Sequence, residues 1–109
     1  MNNQTVNEGK TIAIVSYLTI IGTLIAFIMN QNRSNYFASY HIRQALGLFL
    51  TGMVINFLQR FNDFFWLDAI LGIGLFILWL LGLISAVQGE EKPVPLLGEY
   101  YQEWFKNIA

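Results

Sequence analysis

The sequence has no cysteine. Disulfides, thiolate metal sites and cysteine nucleophiles are therefore excluded. It has a single histidine, His41, too few to build a zinc site within one chain, since such sites usually take three or four ligands. Charge is scarce as well. Asp, Glu, Lys and Arg make up 12% of the 109 residues, about half the usual soluble share. With a net charge of −1 and no basic stripe, nucleic acid is not an expected partner. No Gly-rich phosphate loop is present, and no hydroxyl has an evident base partner. Asp63 and Asp68 stand five apart, off a shared helical face, and read as solvated or capping groups. The sequence thus nominates no catalytic residue, metal ligand or cofactor, and an enzyme is not expected.

What is there is apolar. Hydrophobic residues make up 55% of the chain, gathered in uncharged blocks at Ile12–Met29, Gln44–Gln59 and Ala69–Gln88 once Asp68 is passed. A hydrocarbon core of ~30 Å needs roughly 20 helical residues. The first and third blocks meet that requirement, and the middle one is completed by its flanks. Lipid permits helices here and not open strands. A soluble bundle would need two helices with almost wholly apolar surfaces, which disfavours it. The expectation is an all-α membrane protein, a three-transmembrane-helix bundle with a C-terminal amphipathic interfacial helix.

Along the chain, residues 1–10 read as a polar tail and 11–109 as one membrane domain. Helices are expected at about 11–29, 36–60 and 67–88, with an amphipathic tail at 96–108. Lys10 before an apolar run hints at a secretion signal, but the run is too long and lacks a small-residue cleavage pattern, so it reads as a retained anchor. "NQNRSN" (30–35) is a polar turn, and "FNDFFW" (61–66) is a loop whose rings suit the headgroup boundary. "GEEKPVP" (89–95) ends the third helix with Gly and two prolines.

At about 100° per residue, His41, Gln44, Ala45, Leu48, Gly52, Asn56 and Gln59 share one face of the second helix. Leu46, Phe49, Leu50, Met53, Val54 and Phe57 share the other. In lipid the small and polar face turns inward. His41, Gln44, Gly52 and Asn56 are therefore expected to contact other helices, while Arg43 snorkels to phosphates. Ser16, Thr19, Gly22, Thr23, Ala26 and Asn30 offer a matching stripe in the first span. Gly72, Leu75, Trp79, Gly82, Ala86 and Gly89 do so in the third. Two readings of the polar face stay open: interhelical glue, or the lining of a path or binding site. His41 as a pH sensor is a lesser third. In the tail, Leu97, Tyr101, Trp104 and Ile108 form a stripe flanked by Tyr100 and Phe105. Tyr101, Trp104 and Phe105 are expected to enter the lipid interface or dock on the bundle or a partner protein.

"IVSYLTIIGTLIAFIMNQNRSNYFASYHIRQALGLFL", a glycine-bearing third span and "GEEKPVPLLG" together resemble a family. It is the small bacterial membrane proteins of unknown function grouped with the chloroplast inner-envelope protein-import component. The resemblance covers roughly residues 12–105. Its motif positions are His41, Arg43 and Gln44 in "HIRQAL", and Pro95 and Gly98 in the Pro-x-x-Gly element after the third span. The family usually has an aromatic residue before that proline, where this chain has Val94 and an additional Pro93. The resemblance implies an integral membrane protein accessory to protein translocation. The plant proteins tend to have four spans, against three read here.

Two functions follow as expectations. One is a non-enzymatic accessory subunit of a larger membrane complex, linked to protein translocation. The other is a homo-oligomeric channel or carrier with an inward polar face. Membrane lipids, and a membrane-protein partner or a second copy, are the expected partners. The expected location is the bacterial cytoplasmic membrane. With three spans, Lys10 and Arg60 flank one side and Arg33, Arg43, Lys92 and Lys106 the other. That bias predicts an external N-terminus and a cytoplasmic C-terminus.

Overall fold

The computed structural model describes residues 3–61 and 63–109. These residues form helices α1 (Asn3–Leu18), α2 (Ile20–Gln31), α3 (Tyr36–Leu58), α4 (Phe65–Val87) and α5 (Gly98–Trp104), with a 3₁₀ turn at Gln59–Phe61. Among the described residues one helix, α4, is long and apolar enough to cross a membrane by length and composition. The first third of α3 carries Ser39, His41, Arg43 and Gln44, which lowers its apolar character.

The first apolar block is not one helix. Thr19 adopts an extended backbone, φ −154° and ψ 172°, and breaks it. Its side chain then caps α2 by accepting from the Gly22 amide at 3.0 Å, the usual work of an N-cap threonine. The chain reverses at this point. Thr23 Oγ1 donates back to the Ser16 carbonyl at 2.7 Å, and Gly22 packs so close to the Val15 carbonyl that a Cβ would collide with it. Asn35 joins the far ends: its Nδ2 donates to the Thr5 carbonyl and its amide donates to Asn30 Oδ1, both at 2.9 Å. In a straight helix Thr5 and Asn30 would stand about 37 Å apart. The expected continuous span at 11–29 is therefore corrected to an antiparallel helical hairpin, α1–α2, with its tip at Thr19. The expected polar tail is corrected too. Its described residues, 3–10, are the opening turns of α1, while Met1 and Asn2 lie outside the described residues.

α3 follows α2 through a turn whose Ser34 has φ +48°. Asn35 caps α3 by accepting from the Ala38 amide. α3 runs parallel to α1, with Thr5 beside Asn35 and Tyr17 beside His41 and Gln44. α3 and α4 then form a second, longer hairpin of 23 residues per arm, about 34 Å each. Asp68 lies in the first turn of α4, where a carboxylate favours the helix dipole. α4 ends at Gly89, whose φ of +74° suits glycine. The Glu90 amide bonds the Ser85 carbonyl and the Gly89 amide bonds the Ala86 carbonyl, a Schellman closure.

The buried core sits at one end of an elongated body of 49 × 23 × 22 Å. Ile12, Ala26, Ala38 and Ile42 make one cluster. Ala13, Tyr17, Phe37, Ala45, Leu48, Ala86, Val94 and Tyr101 make the other. Gly89 lies against Val6 and Lys10 of α1. Residues 3–10, the 32–35 turn and the segment after α4 thus share this end, and the 3₁₀ turn at Gln59–Phe61 stands at the opposite one. The N- and C-terminal segments, expected at opposite ends of a three-span bundle, pack together at one end of the molecule.

Candidate functional site

Tyr17, His41 and Gln44 meet in the core, each essentially without exposure. α1 supplies the first and α3 the other two, because the parallel pairing brings the end of α1 to the second turn of α3. His41 Nε2 contacts the Glu90 carbonyl at 2.7 Å. A carbonyl only accepts, so Nε2 carries the proton. Nδ1 is then the acceptor, and Tyr17 Oη donates to it at 2.6 Å. Gln44 Nε2 donates in turn to Tyr17 Oη at 2.8 Å and to the Lys92 carbonyl at 3.3 Å. Gln44 Oε1 accepts from the Val94 amide at 2.9 Å. The donors thus line up from Gln44 through Tyr17 and His41 to Glu90. Phe37, Tyr40 and Tyr17 present ring edges around the imidazole at 4.8–5.4 Å.

This arrangement fastens the segment after α4 to α3. Ser85 Oγ adds a bond to the Glu90 carbonyl at 2.8 Å and accepts from the Lys92 amide. Arg43 continues the pattern. Its guanidinium donates to the carbonyls of Lys106 and Ala109 at 3.2 and 3.1 Å and reaches Gln102 Oε1 at 3.5 Å. The expected snorkelling of Arg43 to lipid phosphate is corrected: it holds the tail. The motif residues His41, Arg43 and Gln44 are one receptor, and the segment from Glu90 onward is what they bind. Pro95 and Gly98 shape that segment. The Gly98 amide bonds the Val94 carbonyl at 3.0 Å, Leu96 between them has φ +74°, and Gly98 packs on Pro93 too closely for a Cβ.

The tail residues divide. Tyr101 is buried, seated in a slot where Gly47 has no Cβ to obstruct its ring, with its hydroxyl on Thr51 Oγ1. Burial raises the phenol above its ordinary range, and the Thr51 bond works in the opposite direction. Phe105 is half-buried beside it, ring on ring at 6.5 Å. Trp104 stays 62% exposed, as do Tyr100 and Leu96 at 56% and 87%. Tyr101 is therefore an internal anchor, and the outward rings are Trp104 and Tyr100.

Gly52 and Asn56 do not join the cluster. Gly52 is half-buried, and a Cβ there would press on the Leu75 side chain at 3.1 Å. Asn56 is exposed, which corrects its expected contact with other helices. Both line an apolar groove of about 800 Å³ among the hairpin tip, α3 and α4, with Thr19, Phe49, Gly72 and Trp79. Leu50 and Phe57 face outward, while Leu46 and Phe49 are half-buried.

Sequence reasoning missed Tyr17 and Ser85 as partners, and placed Trp79 on an inward stripe without a partner. Trp79 Nε1 donates to the Tyr17 carbonyl, which the break at Thr19 releases. The "SYLTIIGT" run held the signal: hydroxyls and a glycine clustered mid-span.

The chain is similar to a membrane protein. It is 27% identical over 89 residues to a UPF0132 membrane protein of Methanocaldococcus jannaschii, covering 81% of this chain and 80% of the relative. No protein-family profile matches the chain, and no solved structure matches it. An apolar α4 and a membrane-protein relative agree on the class: an all-α protein related to an uncharacterised membrane protein.

Proposed function

We propose that this protein is a non-enzymatic subunit of a larger complex in the bacterial cytoplasmic membrane, serving protein translocation as its resemblance to the import-component group suggests. One observation carries the non-enzymatic part. Both ring nitrogens of His41 and all three hydrogen-bonding positions of Gln44 are engaged within the chain. A catalytic or transport site keeps groups open to a substrate, whereas a fully paired buried network fixes one packing. The part of the polar face formed by His41 and Gln44 is occupied by residues 90–94. The outward Trp104 and Tyr100 suit the lipid interface or a partner, since rings of this kind favour both.

Purification from native membrane in mild detergent tests the proposal. A stoichiometric partner that includes translocation components supports it. Pure protein that carries specific ion or solute flux in liposomes overturns it in favour of the channel.

A further inference from the structure

We propose that α1–α2 is a re-entrant hairpin, that α3 and α4 are the two membrane crossings, and that residues 3–10, 32–35 and 88–109 all lie on the cytoplasmic face. The inference rests on the membrane reading above and departs from it in the number of crossings and in which segments share a side.

Depth is the first support. The hairpin tip, Leu18–Ile20, lines a groove with Leu48 and Phe49 of α3 and with Leu75, Phe76 and Trp79 of α4. Those residues are the midpoints of two 23-residue helices. A helix pair that enters beside Asn35 and turns beside Leu48 reaches about half of a ~30 Å hydrocarbon core. The outer face of α2 is apolar and bare, with Ile21, Leu24 and Ile28 at 65%, 56% and 63% exposure, as contact with acyl chains demands.

The second support is chemical. Broken helices persist in hydrocarbon only where the freed backbone groups find partners. Here the Ser16 carbonyl accepts from the Thr23 hydroxyl, the Tyr17 carbonyl accepts from the Trp79 indole, and the Gly22 amide donates to the Thr19 hydroxyl oxygen. The break is furnished with its own donors and acceptors.

Charge is the third, and it is independent of both. The chain has six Lys and Arg residues. Arg60 alone stands in the 3₁₀ turn between α3 and α4. Lys10, Arg33, Arg43, Lys92 and Lys106 stand at the other end, so the count is five against one. Three straight spans would give four against two. Basic residues mark the cytoplasmic side, so the re-entrant arrangement both sharpens the bias and assigns the side.

The cysteine-free chain makes the test clean. Single cysteines at the exposed positions Glu8, Asn32, Asp63 and Asn107 are probed in spheroplasts with a membrane-impermeant maleimide, before and after permeabilisation. The expected result is that position 63 labels from outside, and that positions 8, 32 and 107 label only once the membrane is opened. Labelling of 8 and 32 from opposite faces restores a straight first span and overturns the proposal. Labelling of 8, 32 and 107 from outside with 63 protected overturns the cytoplasmic assignment. An alkaline carbonate wash separates the two levels: release of the protein sinks the membrane reading itself, whereas retention with opposite labelling sinks only the hairpin.

Discussion

The two ends of this molecule are built on different principles. At one end α1, α2, the first half of α3 and the segment after α4 interlock through hydrogen bonds and buried rings. At the other, the second half of α3 and the first half of α4 stand as a bare pair. Met53, Val54, Phe57, Phe65, Trp66, Ile70 and Ile73 are 57–83% exposed there. A soluble protein rarely leaves so much contiguous apolar surface uncovered. The contrast teaches that polar side chains fix the specific packing where the chain is crowded, while the bare pair relies on its surroundings for cover.

Substitutions should separate the ends by size of effect. Gln44→Leu is expected to cost most, roughly 2–5 kcal/mol, because it strands the buried Val94 amide and removes the bonds to the Tyr17 hydroxyl and the part-buried Lys92 carbonyl. Thermal unfolding in detergent measures it, and a near-neutral result would mean that water reaches those groups. Next comes Gly47→Ala, whose Cβ meets the Tyr101 ring. It should cost about 1–3 kcal/mol through overpacking and make residues 98–109 more open to protease. Tyr17→Phe removes the hydroxyl between His41 and Gln44, a loss of roughly 1–2 kcal/mol. Gly72→Ala should have the smallest effect and the opposite sign. A Cβ there meets nothing, so the better helix former should gain up to about 1 kcal/mol. A Gly72→Ala cost equal to that of Gly47→Ala in native membrane, absent in detergent, would show that another surface covers the bare end.

The same contrast explains what was legible in the sequence. Apolar length marked α4 closely, because length against hydrocarbon thickness is a one-dimensional signal, whereas α3 needed its polar flanks to reach full length. The inward turn of His41 and Gln44 was visible as a face. The reversal at Thr19 was not. Ser16, Thr19, Gly22 and Thr23 fit a packing stripe on a straight helix as well as they fit a tight turn, and periodicity does not distinguish the two. Asn56 was misplaced for a related reason. It continues the face of Gln44, but α1 and α2 stop halfway along α3, and beyond Gly52, which meets Leu75 of α4, that face borders an open groove. Arg43 was misread because snorkelling is a local rule, and its partners lie some sixty residues later. The four-residue tail stripe divided because α5 spans only seven residues, and one anchor, Tyr101, sets how it sits.

The Tyr17 carbonyl and the His41 ring have a bearing on the order in which the protein matures during synthesis. Their partners are Trp79 and the Glu90 carbonyl, so the first half of the chain emerges from the ribosome with the Tyr17 carbonyl and His41 Nε2 still unmatched. The hairpin is then a provisional structure, completed only when the last fifth of the chain arrives and closes over it. A nascent chain stalled after Gln88 should therefore stay sensitive to protease within α1 and α2, while one extended past Gly98 should become resistant in a single step.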